Sequence, residues 1–326
     1  MTTPNELDGV LVQWGDRLFY PSNRSTKTRT PPLTGLPLHH RAQALRQRIH
    51  ATVVRRAPQV MVKVTGGGRG IGAIAAHLRY IAKGGRLPFE DDRGVTRDGK
   101  EALRAVVEQW RFGGSRIPEV SERREAFNIM LSMPAGTRPE FVLQAAREFA
   151  KVELANHRYV MVLHTHQANP HVHLSVRAEG RDGQRLNPRK EDLRRWRETF
   201  AERLRSWGIE AEASSQLTRG TRHRNEHVWE RKTARRRAQR PTKAEPLPSG
   251  TRKHALQAWV EITRALAASP DASDRKLAKS IHDYLERLPA VQAIIRERER
   301  QRELPGMSRS TVMPSPLQRR GPEMER

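Results

Sequence analysis

Two strand-like segments joined by a connection of five residues constrain this fold more than any other feature of the sequence. Residues 159–165 and 171–178 both have the composition and the alternation of β-strands, and Pro170 stands at the entrance of the second one. A parallel pair needs a crossover of about a dozen residues or more, so these strands pair most simply as antiparallel neighbours. The chain is therefore expected to contain a sheet with antiparallel pairing.

Other segments have the period of a strand or of a helix. Residues 59–65 place Val60, Val62 and Val64 on one face of a predicted strand. The remaining predicted elements are a helix at 71–83, a strand at 127–133, a helix at 137–156, a short strand at 184–186 and a helix that begins near Pro188. This order is typical of an α/β fold, and we predict a two-layer sandwich with a mainly antiparallel sheet.

Composition divides the chain into five parts. Residues 21–37 are rich in Pro, Thr, Ser and basic side chains, which cannot bury a core, although residues 40–56 could form a basic helix. We predict a basic, partly disordered N-terminal arm at 1–57, a folded domain at 58–220, a basic linker at 221–250, a helical, basic C-terminal region at 251–302 and a disordered tail at 303–326. The arm is either a solvated tail or a contact to a nucleic-acid backbone.

The charge of the chain indicates the kind of partner it binds. The formal net charge is +25 and the isoelectric point is about 11.4. Such an excess repels itself in a compact state and points to a polyanion, with nucleic acid first and an anionic membrane surface as the alternative. No apolar run approaches the roughly 20 residues of a membrane span, so no membrane insertion is expected. The absence of cysteine excludes disulfides and thiolate metal sites, and no secretory signal is seen, so we expect a cytoplasmic protein.

Histidines cluster on the predicted strand pair. His171 and His173 flank one valine, so both imidazoles point to the same face, and His164 reaches that face if the two strands pair. Three converging neutral imidazoles form a metal site with room for oxygen ligands. The alternatives are a histidine cluster that contacts phosphate directly and a structural zinc site, which usually includes cysteine. His166 is either a fourth ligand or a residue that orients the others.

Tyr80 is one of only four tyrosines and lies on the predicted helix at 71–83. The apolar residues of this helix form one stripe, and Tyr80 falls roughly 140° from the centre of that stripe, so it is not a core residue of its own helix. A tyrosine can attack a phosphodiester when a bound divalent cation stabilises the developing charge. The simpler interpretation is an exposed tyrosine, or one that packs against a neighbouring element.

Glycines precede this helix in the segment GGGRGIG at residues 66–72. Gly70-x-Gly72-x-x-Ala75 matches a dinucleotide-binding pattern, but that pattern requires a second buried strand before an acidic residue about 20 positions later. The run KGGRLPFE at 83–90 is not such a strand. We therefore favour a turn whose backbone amides and Arg69 approach a DNA phosphate.

Three segments in a fixed order resemble the motifs of a known family. They are GGGRGIGAIAAHLRYIAKGGRL, FNIMLSMPAGT and HTHQANPHVHLSVRAEG. Together they resemble the motifs of conjugative relaxases and mobilisation nucleases of the HUH endonuclease class, and most of all those relaxases that nick T-DNA borders. The resemblance spans about residues 58–220.

The resemblance implies a function and assigns roles to residues. Tyr80 matches the family's nucleophile, Ser132 matches a serine that contacts DNA, and the metal ligands match His164, His171 and His173. An enzyme of this family nicks one strand of single-stranded origin-of-transfer DNA by metal-dependent transesterification, with Mg²⁺ or Mn²⁺, and stays on the 5′ phosphate. The implied partners are relaxosome accessory proteins and a type IV secretion coupling protein. The implied location is the bacterial cytoplasm, with transfer to a recipient cell.

The chain departs from the family pattern at one position, and other functions remain open. His166 stands where the family usually has an acidic residue, and Glu140 could supply a carboxylate instead. A rolling-circle replication initiator would share the histidines, but its tyrosine usually follows them. A non-catalytic DNA-binding mobilisation accessory protein would bind DNA in a salt-sensitive way without cleaving it.

Overall fold

A computed structural model describes residues 4–20, 36–220 and 250–303. In this part of the chain six strands form one sheet in the order β1-β4-β6-β5-β2-β3. The strands are β1 (Met61–Gly68), β2 (Phe89–Asp91), β3 (Thr96–Arg97), β4 (Ala126–Ser132), β5 (His157–His164) and β6 (His171–Gly180). Every pair of neighbouring strands is antiparallel. The predicted α/β class with a mainly antiparallel sheet is confirmed.

The register of the central strands decides which side chains share a face. Ser132 on β4 pairs with His171 on β6, and His171 also pairs with His164 on β5. Directly paired residues point to the same side of a sheet, so these three side chains form a row. In the next row His173 lies between Met130 and Val162. The opposite face of the same strands carries apolar residues such as Leu174.

Two helices cover that apolar face. Helix α5 (Pro139–Glu153) and helix α6 (Lys190–Ser206) bury Phe149, Trp196 and Phe200 against it. The rings of Trp196 and Phe200 both meet Phe149 edge-on, which is a favourable arrangement for aromatic pairs.

Two further helices lie on the histidine side. Helix α3 (Ile71–Ile81) and helix α4 (Gly99–Phe112) pack over Ala126, Val160 and Val162. The two-layer prediction did not include this second cover. Helices α3 and α4 leave part of this face open beside the C-terminal end of α3, and the histidines lie in that opening.

The predicted N-terminal arm at 1–57 is wrong for the described residues. Helix α1 (Pro4–Phe19) and helix α2 (Leu38–Val53) are regular, and they share a buried core with α7 (Thr251–Ala267) and α8 (Ala272–Glu286). Each of these helices has an apolar stripe, and the stripes of α1 and α2 pack against helices that lie more than two hundred residues later in the sequence. Arg46 joins three of these helices, since its guanidinium donates to Asp8 at 2.8 Å and to Asp274 at 2.9 Å.

Hydrogen bonds connect the helical bundle, which consists of α1, α2, α7 and α8, to the sheet domain. Trp259 of α7 donates its indole N–H to the carbonyl oxygen of Thr218, whose hydroxyl donates to the carbonyl oxygen of Leu18 of α1.

Helix α9 (Pro289–Glu303) follows α8, so helices occupy the predicted C-terminal region. The predicted linker at 221–250 and tail at 303–326 lie outside the described residues, except for their terminal residues 250 and 303. Within the described ranges, no helix combines the length and apolar character needed to span a bilayer.

Candidate functional site

Three histidines converge on the open part of the sheet. His164 and His171 are buried and His173 is half-buried. The ring centroids are 4.6 Å apart between His164 and His173, 5.0 Å between His171 and His173, and 5.1 Å between His164 and His171. One ring nitrogen from each of the three lies within 4.8 Å of the other two. A cluster of this size can surround one ion.

Backbone carbonyls fix the orientation of two of these rings. The Nε2–H of His164 donates to the carbonyl oxygen of Ile81 at 2.6 Å, which leaves its Nδ1 with a free lone pair. The Nδ1–H of His171 donates to the carbonyl oxygen of Asn169 at 2.9 Å, which leaves its Nε2 free. Ligating histidines usually use the second nitrogen in this way, because the hydrogen bond sets the tautomer. The Nδ1 of His173 is buried and has no hydrogen-bond partner within the described ranges.

The surroundings keep two of these imidazoles neutral. Burial, followed by the repulsion of neighbouring His164 and His171, lowers the pKa of His173 to about 3. Burial also lowers the pKa of His164, although the Ile81 carbonyl opposes this shift. Neutral imidazoles present lone pairs and bind cations, so the donor set fits a divalent metal ion. Nitrogen-only donors suit Mn²⁺ better than Mg²⁺.

Tyr80 lies at the C-terminal end of α3 and lines the same cavity as the three histidines. The cavity has a volume of about 440 Å³ and opens to solvent. The side chain of Tyr80 is 73% exposed, while Ile74, Leu78 and Ile81 of the same helix are buried. The predicted position of Tyr80 away from the core is confirmed, and its phenol is free to meet a large substrate.

The other predicted residues lie in different places. His166 is exposed at the edge of the cavity, with its ring 5.1 Å from that of His164 and outside the cluster of ligand atoms. Ser132 is buried beside His171 and donates its hydroxyl to the carbonyl oxygen of Pro170 at 3.3 Å. It therefore supports the segment that holds His171. Glu140 lies on α5, on the opposite face of the sheet, and cannot reach the histidines.

The glycine-rich segment does not form an anion site in the described structure. The amides of Ile71 and Gly72 donate to the carbonyl oxygens of Pro118 and Glu119, so they are already used. Arg69 is exposed, donates to the carbonyl oxygen of Glu122 and does not line the cavity. A dinucleotide fold also requires a parallel strand after α3, but among the described strands β1 pairs with β4 alone, and that pairing is antiparallel.

Four residues around the cavity were absent from the prediction. Arg79, Lys83 and Arg86 line it, and His77 lies one helical turn before Tyr80 with its ring 6.4 Å from the tyrosine ring. Burial lowers the pKa of His77, and its Nε2 has no hydrogen-bond partner in the described part of the chain. The only available signal was their proximity in sequence to Tyr80, because the turn after α3 cannot be read from composition.

The central part of the chain matches a family model described as "Relaxase: MobA/VirD2-like, nuclease domain" over residues 89–209. This segment is therefore similar to a relaxase nuclease domain. It contains His164, His171 and His173, and it supports a DNA-nicking enzyme in general terms. The matched segment begins after Tyr80, so the tyrosine lies outside it.

Two further comparisons add little to the relaxase match. One solved structure, described as "Molecular Basis of Vancomycin Resistance Transfer in Staphylococcus aureus", is 16% identical, covers 49% of this chain and 99% of its own, and gives a TM-score of 0.31. A likeness of this size shows neither a common fold nor a common activity. No curated protein matches the chain.

Proposed function

We propose that this relaxase domain nicks one strand of single-stranded origin-of-transfer DNA through Tyr80 and remains covalently attached to the 5′ phosphate. The observation that carries the proposal is a single open cavity lined both by Tyr80 and by the converging His164, His171 and His173. A phosphodiester in this cavity meets a nucleophile on one side and a cation site on the other.

The environments of the four tyrosines support the choice of Tyr80. All four lie in the described ranges. Burial raises the pKa of Tyr20 and of Tyr159 to about 12, and burial also raises the pKa of Tyr284. A buried phenol with a raised pKa is a poor nucleophile and cannot reach DNA. Tyr80 alone among them is exposed and faces the histidines.

The proposed step exchanges one phosphodiester for another. The Tyr80 oxygen attacks the phosphorus atom, the bond from phosphorus to the 3′-oxygen breaks, and a phosphotyrosine ester forms at the 5′ end. The proton lost by the phenol is balanced by the proton that the departing 3′-oxygen takes up. A divalent cation held by His164, His171 and His173 would polarise the non-bridging oxygens of the scissile phosphate. Because an ester bond is kept, the reverse step can rejoin the strand.

The partners predicted from the resemblance belong to the same proposal. Relaxosome accessory proteins would position the DNA, and a type IV secretion coupling protein would receive the covalent complex in the bacterial cytoplasm before its transfer to a recipient cell. Neither partner follows from the cavity itself.

Covalent capture from a randomised library tests the proposal. The full chain is incubated with Mn²⁺ and a pool of single-stranded DNA of random sequence, and adducts that survive denaturation are recovered and sequenced. We expect adducts that are sensitive to protease, are prevented by EDTA and share a common sequence at the cut. Tyr80→Phe should still bind DNA but form no adduct.

Tyr284→Phe is the matched control. It removes a hydroxyl that donates to the carbonyl oxygen of Arg219 at 2.8 Å, far from the histidines, and costs about 1 kcal/mol of stability. Adducts should form at the wild-type level in this variant. Adducts that persist in Tyr80→Phe would refute the assignment of the nucleophile. Salt-sensitive binding with no adduct in the wild-type protein would instead identify a DNA-binding accessory protein.

A further inference from the structure

We propose that Lys83 and Arg79 form a phosphate-binding edge of the cavity, which holds the DNA strand beside Tyr80 without help from the metal ion. The inference rests on the proposed function, since it takes single-stranded DNA as the substrate. It adds two residues that neither the family match nor the sequence motifs single out. Both residues lie outside the matched segment, on the turn and helix that carry Tyr80.

The charges around the cavity all have one sign. Arg79, Lys83 and Arg86 line it together with the histidines, and no carboxylate lines it within the described ranges. A cavity with several cations and no anion attracts anionic ligands before any metal binds.

The two proposed residues have no competing ion pair among the described residues. Several cations on this domain are neutralised within the protein, as Arg147 is by Glu90 at 2.7 Å and Arg181 is by Asp92 at 2.6 Å. No ion pair to a carboxylate is found for Arg79 or Lys83 in the described part of the molecule. Their charges therefore remain available for a ligand. Arg86 is partly used, because its Nε donates to the carbonyl oxygen of Lys83 at 3.1 Å.

The backbone at Lys83 supports a functional role for its side chain. Lys83 has φ of +47°, a left-handed conformation that a residue with a Cβ adopts at a cost, and it is followed by Gly84 at +70° and Gly85 at +90°. Only one other non-glycine residue in the described ranges has a positive φ, Arg56. A glycine at position 83 would relieve this strain. A lysine at this strained position is explained if its ammonium group is needed in the cavity.

The positions of these residues match a nucleic-acid backbone. Arg79 immediately precedes Tyr80 and Lys83 follows it by three residues, and all three side chains line the same cavity. A strand that places one phosphate against Tyr80 carries its next phosphates towards these cations. Such contacts to phosphate fix the position of the strand and read no base. They should act equally on any sequence.

Salt dependence of binding in EDTA tests the proposal, because it excludes the metal. The affinity of the full chain for a fluorescent single-stranded oligonucleotide of mixed sequence is measured by anisotropy over a series of salt concentrations. Each phosphate contact contributes about 0.7 to the slope of log affinity against log salt for a single strand. We expect Lys83→Ala and Arg79→Gln each to reduce the slope by about this amount. Each should weaken binding by up to about fivefold near physiological salt.

Two controls separate charge from folding. Lys151→Ala removes an exposed lysine from α5, on the opposite face of the sheet, and should leave the slope unchanged. Lys83→Gly removes the ammonium group but relieves the backbone strain, so a loss of affinity equal to that of Lys83→Ala assigns the effect to the lost charge. Lys83→Arg should restore the slope.

The outcomes are distinct from those of the covalent-capture experiment. Unchanged slopes in Lys83→Ala and Arg79→Gln, with adducts still formed by the wild-type protein, would overturn the phosphate-binding edge and leave Tyr80 as the nucleophile. Reduced slopes without any wild-type adduct would overturn the nicking activity and leave the strand-binding edge.

Discussion

The two glycines after α3 offer a matched pair of substitutions with different expected costs. Gly84 has φ of +70° and no atom within 4 Å of an added Cβ. Gly85 has φ of +90°, and a Cβ there would lie 2.5 Å from the carbonyl carbon of Gly99 and 2.8 Å from the amide nitrogen of Lys100. Both positions disfavour alanine, but only the second one also meets backbone, at the start of α4.

The expected magnitudes follow from these two environments. A left-handed alanine costs about 1–2 kcal/mol, and a reduced entropy of the unfolded chain returns about 0.4–1 kcal/mol. Gly84→Ala should therefore destabilise the protein by roughly 1 kcal/mol. Gly85→Ala should cost roughly 1–3 kcal/mol more, because α4 must move or the turn must open. Urea unfolding followed by tryptophan fluorescence measures both, since buried Trp110 reports on α4.

The pair also connects the turn with the proposed chemistry. Movement of α4 displaces the end of α3, so Gly85→Ala should give fewer covalent adducts than Gly84→Ala at a temperature where both are folded. Equal destabilisation by the two substitutions would refute the argument, because it would mean that the turn does not press on α4.

Three further predictions concern the metal site and the edge of the sheet. Mn²⁺ at about 100 times its dissociation constant should stabilise the protein by about 2.7 kcal/mol in thermal unfolding, and His173→Ala should remove this effect. His77→Phe should weaken Mn²⁺ binding about tenfold in calorimetry. The buried Nε2 of His77 and the buried Nδ1 of His173 both lack hydrogen-bond partners in the described residues, and a hydrogen-bonded bridge between these two nitrogens would orient the ring of His173 towards the ion. Burial favours the neutral form of Asp91, but hydrogen bonds from Val95, Arg93 and Arg97 outweigh it and lower the pKa of this carboxyl. Its contribution is therefore present above about pH 4 and lost as pH falls, so Asp91→Asn should flatten the acid limb of an unfolding curve.

Each of these has a contradicting result. Stabilisation by Mn²⁺ that survives in His173→Ala would place the ion elsewhere. Unchanged Mn²⁺ affinity in His77→Phe would show that His77 only packs. An acid limb as steep in Asp91→Asn as in the wild-type protein would assign the acid sensitivity to other carboxyls.

The site was easier to predict from the sequence than the ends of the chain, and the reason is physical. The period of two in a strand fixes which side chains share a face, and a short connection fixes the pairing, so the convergence of His164, His171 and His173 followed from local rules. The helical period likewise placed Tyr80 away from the core. The turn at Lys83 did not follow, because consecutive positive φ angles depend on contact with α4.

Two kinds of element were absent from the prediction. Strands β2 and β3 have three and two residues, which is too short for a period to be recognised. Helices α1 and α4 do have apolar residues at helical spacing, such as Leu103, Val106 and Trp110 in α4. For α1 and α2, the Pro- and Thr-rich residues at 21–37 dominated the composition of the whole segment. Their true partner is the distant pair α7 and α8.

The shared core of the first and last helices has a consequence for synthesis on the ribosome. Arg46 and Asp274, which bond across this core, are separated by 228 residues. At a translation rate of about 5–20 residues per second, roughly 10–45 s pass between the synthesis of α2 and the synthesis of α8. During that time Leu11, Leu45 and Ile49 have no apolar surface of α7 or α8 to cover them. The nascent chain therefore presents its first two helices to chaperones or to other chains long before the protein can bury them.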